Sequence, residues 1–61
     1  MRLNTKKYQE LMAEQELTPE IICRSTGLGS RSFQWIMTNG FASEDAMERL
    51  AEVAGAQVGE L

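Results

Sequence analysis

Signals that end one helix and start the next recur at short intervals along this chain, and they leave little freedom of fold. Thr18-Pro19-Glu20 is a helix start. The threonine hydroxyl accepts from an orphan N–H, proline fits the first helical position, and glutamate favours the positive end of the dipole. Gly27 suits a left-handed C-cap, so this helix stops near Thr26. Gly29 or Ser30 caps the next helix, which runs through Arg31–Met37 to Thr38 before Asn39-Gly40 interrupts it. Ser43, followed by Glu44 and Asp45, opens another, and Gly55 closes it. Ahead of these, Asn4 or Thr5 caps a first helix running to about Glu16.

The apolar spacing agrees with these boundaries. Tyr8, Leu11, Met12 and Gln15 share one face of the first helix, where Tyr8, Leu11 and Met12 bury while Lys6, Glu10 and Glu14 meet water. The second helix carries Ile21, Ile22 and Cys23. Met47, Leu50, Ala51 and Ala54 line one face of the fourth. Val58 and Leu61 read as a last helical turn folded back on the core. Asn39-Gly40 can also mark a hairpin, but no alternating apolar segments flank it. The expectation is an all-α domain of four to five short helices spanning residues 1–61. Within it, 18–26 and 30–38 form a helix-turn-helix around a tight glycine turn.

Length and composition narrow the function. A chain of 61 residues buries only about 60% of its unfolded surface, enough for one core and no second domain. With no histidine and a single cysteine, Cys23, there are no means for an internal disulfide, a zinc site of ordinary ligands, or Ser-His-Asp and Cys-His catalysis. The expectation is a non-enzyme without cofactors. No apolar run approaches the roughly 20 residues that cross a bilayer, and the N-terminus lacks a signal peptide's apolar stretch, which points to the cytoplasm. The net charge of −3 argues against coating nucleic acid by bulk charge. The charge is uneven, however. Arg2, Lys6, Lys7, Arg24 and Arg31 lie in the first 31 residues, whereas Arg49 stands alone among the acids of the second half.

At about 100° per residue, Phe33, Ile36 and Met37 gather on the core side of the third helix. Arg31, Gln34, Trp35 and Thr38 face the other way, with Ser30 at the N-terminal edge. Two readings of this face stand. In one, Trp35 packs against a neighbouring loop or the flank of the fourth helix, and Arg31 covers its ring. In the other the face meets a partner, since Trp and Arg are enriched in binding hot spots. With DNA as that partner, Arg31 donates twice to a guanine, Gln34 pairs with an adenine and Trp35 packs on a thymine methyl. The Thr18 hydroxyl and the N-terminal amides of the second helix hold a phosphate. Thr38, Lys6, Lys7 and Arg24 are further candidates for phosphate contacts, and each of these cations also reads as simple solvated charge.

From about Leu11 to Leu61 the chain resembles the phage-repressor and Cro type of helix-turn-helix domain, the lambda-repressor-like XRE family. The resemblance is carried by Leu17-Thr18 entering the second helix, Ile22-Cys23 where the family has Leu-Ala, and Gly27-Leu28 at the turn. Phe33 and Ile36 fall at core positions of the recognition helix, and Leu50-Ala51-Glu52-Val53-Ala54-Gly55 with Val58 and Leu61 form the C-terminal part. It implies that the third helix enters the major groove of double-stranded operator DNA, that the protein binds as a homodimer, and that it acts as a repressor or Cro-like regulator.

Two departures bear on that expectation. Family members often pair an Arg near the end of the first helix with a Glu near the end of the third. Met12 and Met37 stand at those positions here and are expected to touch, an apolar substitute for a buried ion pair. Cys23, at a small-residue position, is expected to pack against the turn. The loop after the third helix is basic in relatives and contacts phosphates. Here Gly40-Phe41-Ala42-Ser43-Glu44-Asp45 carries no positive charge, which lowers the phosphate contribution to affinity. Phe41 is expected to plug the core beneath this loop; the alternative is an exposed contact for a second subunit. The acidic balance, the neutral loop and Trp35 keep a second function open: a module of this fold that binds another regulatory protein, as an antirepressor does. A third reading takes the 61 residues as the N-terminal domain of a longer protein.

Overall fold

Four α-helices follow one another in a computed structural model that describes residues 1–61. They are α1 (Thr5–Gln15), α2 (Pro19–Thr26), α3 (Ser30–Asn39) and α4 (Glu44–Ala54), and a 3₁₀ turn at Val58–Glu60 closes the chain. The fold is all-α, and α2 and α3 form a helix-turn-helix around Gly27–Gly29. The caps are those the residue types dictate. Asn4 Oδ1 accepts from the Lys7 amide, Thr18 Oγ1 from Ile21 and Ser43 Oγ from Ala46. Gly27, Gly40 and Gly55 each end a helix at positive φ, a conformation glycine adopts without steric cost. Glu16 ends α1 in the same left-handed region at φ 55°.

The core draws on every helix. Tyr8 of α1, Ile22 of α2, Phe33 and Ile36 of α3, and Met47, Leu50 and Ala54 of α4 are buried together. Leu11, Met12, Met37, Val58 and Leu61 pack half-buried against them. Two polar ties fasten α1 to α4. The Tyr8 hydroxyl donates to the Leu50 carbonyl at 2.9 Å, and Gln15 Nε2 donates to the Ala54 carbonyl at 2.6 Å. The turn of the helix-turn-helix is pinned from behind. Arg49 of α4 donates from Nη1 to the Thr26 carbonyl at 3.0 Å, while the buried Thr26 hydroxyl donates to the Ile22 carbonyl at 2.7 Å. Arg49 therefore satisfies a C-terminal carbonyl of α2, at the negative end of its dipole.

The region around Phe41 differs from expectation. Residues 1–3 run antiparallel to the α3–α4 loop. The Leu3 amide donates to the Gly40 carbonyl at 2.8 Å, the Ala42 amide to the Met1 carbonyl at 2.9 Å, and Arg2 and Phe41 form an isolated bridge between them. Because side chains alternate in extended chain, Leu3 and Ala42 point inward. Both are buried, whereas Phe41 points out and stays 48% exposed. The plug beneath the loop is thus Leu3 with Ala42, and Phe41 is a surface residue whose ring lies 5.8 Å from the Arg2 guanidinium carbon.

Candidate nucleic-acid interface

The outer face of α3 follows from its apolar spacing. Burying Phe33 and Ile36 turns Arg31, Gln34, Trp35 and Thr38 to solvent, and all four are exposed. They border one shallow concavity of about 260 Å³ together with Asn39, whose amide nitrogen donates to the Trp35 carbonyl at 2.9 Å. Trp35, the sole tryptophan, is 56% exposed and is the most exposed large apolar side chain of the chain. Ser30 also lies exposed at the first position of α3, and with Gln34 it borders a second cleft of about 420 Å³. That cleft runs between α1, α2 and α3. Met12, Pro19, Cys23, Phe33 and Met37 line it, so the two methionines face one apolar space, and Cys23 is half-buried there.

The electrostatics of this face are simple. α3 carries Arg31 and no acidic residue. The two ion pairs of the molecule lie elsewhere, Arg24 with Glu20 at 3.0 Å and Arg49 with Asp45 at 3.1 Å. The Arg31 guanidinium is therefore uncommitted and free to donate to an incoming acceptor. Acidic residues concentrate on α4, as Glu44, Asp45, Glu48 and Glu52. No side chain caps the N-terminus of α3, where Gly29 is the N-cap, so its first-turn amides remain free donors.

The expected phosphate contacts form no such cluster. Thr18 already accepts from Ile21, Pro19 has no N–H, and Ile22 donates to the Thr18 carbonyl. Of the first-turn amides of α2, only that of Glu20 remains free, beside its own carboxylate. Arg24 is engaged in its exposed pair with Glu20. Lys6 and Lys7 occupy the first turn of α1, and like Thr18 and Arg24 they border none of the clefts around α3. Two neighbours of the site had no local signal in the sequence. Asn39 reads as a helix stop, although its i,i+4 spacing from Trp35 places it on the same face. Arg2 reaches Phe41 only through pairing of segments far apart in the chain.

No three or more histidine, cysteine, aspartate or glutamate side chains come together as a metal-binding group. No helix is long and apolar enough to cross a membrane. In the core, burial pushes the Tyr8 hydroxyl from 10.0 up to about 12. No family model matches the chain, and neither the curated proteins nor the solved structures contain a match.

Proposed function

We propose that this chain is a DNA-binding transcriptional regulator of repressor or Cro-like type, a homodimer on its operator with α3 of each protomer in the major groove. The observation that carries this is the outer face of α3. It presents Arg31, Gln34, Trp35 and Thr38 side by side, exposed, without an acidic residue and without intramolecular partners for the Arg31 guanidinium. Arg31 donates to guanine, Gln34 pairs with adenine, Trp35 packs on a thymine methyl, and Ser30 stands at the groove edge. The uncapped amides of α3 add donors for phosphate. The resemblance to XRE-type domains supports the same docking. Lys6, Lys7, Thr18, Arg24 and Thr38 are proposed phosphate contacts. With three cations among these contacts, Lys6, Lys7 and Arg24, the salt dependence per protomer is shallow, a slope of about −2.7.

Titration of the protein against duplex DNA from upstream of its own gene, at two salt concentrations, tests this beside Arg31→Ala. Binding weakens with salt, and the variant loses about 1–3 kcal/mol at one base position. Absence of salt-sensitive binding at micromolar protein sinks the proposal. A second reading, a module that binds another regulatory protein, is favoured by one observation: Trp35 and Phe41 are both exposed and border the same groove. Co-purification of a regulator in place of DNA binding supports that reading.

A further inference from the structure

A groove of about 440 Å³ lies between α3 and the α3–α4 loop, beside the base-reading face and partly distinct from it. Ile36, Ala42 and Ala46, all buried, and the half-buried Leu28 form its floor. Trp35 and Phe41 form its rim at 56% and 48% exposure. Two large aromatic side chains held half in water over an apolar floor, in a chain that otherwise buries Tyr8 and Phe33 almost completely, mark an interaction surface.

The charges around the groove select its occupant. Arg31 lines it, and the Arg2 guanidinium lies over the Phe41 ring with its carbon 5.8 Å from the centroid. Neither arginine is paired with a carboxylate, and no acidic residue lines the groove. DNA complements the rim but not the floor, since a duplex offers thymine methyls and no side chain to fill a depression between Leu28 and Ala46. A second copy seated on the groove brings two cationic rims together, with no lining carboxylate to offset them. A short helix with apolar side chains on one face and carboxylates flanking them satisfies both floor and rim.

We propose that this groove docks an acidic amphipathic segment of another protein. The segment inserts an apolar side chain between Trp35 and Phe41 and places carboxylates on Arg2 and Arg31. Because Arg31 and Trp35 are shared with the proposed base-reading face, occupancy excludes DNA; that consequence, and not the docking itself, rests on the DNA reading.

Trp35 is the only tryptophan, so its emission reports occupancy directly. The probes are three synthetic helical peptides of about three turns. One has Leu and Phe at i and i+4 flanked by Glu, one has the same apolar pair flanked by Lys, and one has the Glu flanks with Ser in place of the apolar pair. The first shifts Trp35 emission to the blue in a saturable way and displaces bound duplex DNA; the other two do neither. Phe41→Ala weakens the first peptide about tenfold or more and leaves DNA affinity within about twofold. Arg2→Glu, which leaves the Phe41 ring in place, also weakens the peptide. No emission change up to millimolar acidic peptide overturns the proposal. Equal binding of the Lys-flanked peptide does so too. A blue shift that grows with protein concentration alone assigns the groove to a second copy, and loss of DNA affinity in Phe41→Ala assigns it to DNA. Failure of the peptide with intact DNA binding leaves the regulator reading standing, and the converse result separates the two.

Discussion

Tyr8 shows how one residue joins burial to a directed polar bond. Its ring is fully buried among residues of all four helices, and its hydroxyl donates to the Leu50 carbonyl at 2.9 Å. Burial raises its pKa from 10.0 to about 12, because the phenolate would have to be stripped of water. A pKa raised on folding means that the folded state keeps its proton longer. The stabilisation is complete below about pH 10 and is lost as pH rises towards 12. Two pKa units correspond to about 2.7 kcal/mol at the upper end. Wild type is therefore expected to lose stability between pH 10 and 12 beyond any loss in Tyr8→Phe. At pH 7 the variant is less stable by about 1 kcal/mol, since the hydrogen bond from the Tyr8 hydroxyl to the Leu50 carbonyl is lost. Denaturant midpoints of both proteins across this range check it; parallel profiles above pH 10 contradict the assignment. The burial of Tyr8 is legible in the 8, 11, 12 spacing, whereas its bond partner, 42 residues away, is not. Trp35 is legible in the same way: the stripe that buries Phe33 and Ile36 puts it outside. Phe41 is not. Its size suggests a core plug, and only the pairing of residues 1–3 with the loop decides that Leu3 and Ala42 take the inside.

At the scale of the helices, starts and stops are legible because they are local. Asn4, Thr18, Ser43, Gly27, Gly40 and Gly55 each act within a few residues of themselves, and the structure uses all of them. What holds one helix against another is less local, and Arg49 is the example. By composition it is a solitary cation in an acidic stretch; in the fold it donates to the Thr26 carbonyl and pairs with Asp45. The Arg49 guanidinium secures the turn between α2 and α3. The pair with Asp45 is exposed and contributes little. The bond to Thr26 is the larger effect, because without it a part-buried helix-end carbonyl has no protein donor. Arg49→Met keeps the aliphatic stem and removes the donors. It is expected to cost about 1 kcal/mol and to speed amide exchange at Gly27 and Leu28. Gly27→Ala meets no close neighbour, the nearest being Arg49 Nη1 at 3.6 Å, so its cost of about 1 kcal/mol comes from φ +79° alone. An unchanged melting temperature in Arg49→Met, with unchanged exchange at the turn, contradicts the pinning role.

The whole molecule is closed by its first residues. Leu3 donates to Gly40, Ala42 donates to Met1, Asn4 donates to the Leu61 carbonyl at 3.0 Å, and the Leu3 side chain completes the core at 3% exposure. One extended segment thus ties the α3–α4 loop to the last residue, fixing the end of α3 and the orientation of Phe41. Such ties matter more in a small domain, where a single core of this size rarely supplies more than about 3–5 kcal/mol. Leu3→Ala removes most of a buried side chain at a cost of about 2–5 kcal/mol, comparable with the whole stability. It is expected to leave a substantially unfolded population at 25 °C by circular dichroism. Arg2→Ala, one residue away and exposed, stays within about 0.5 kcal/mol of wild type. The contrast separates core completion from a general role of the N-terminal segment. If the two variants melted together, the backbone pairing with residues 40–42 would be the source of stability, and Leu3 would be only its passenger. If Leu3→Ala alone collapses, α3 depends on a side chain 27 residues before its first turn. Truncation before Asn4 would then unfold α3, and with it the face proposed to meet DNA, without touching any residue of that helix.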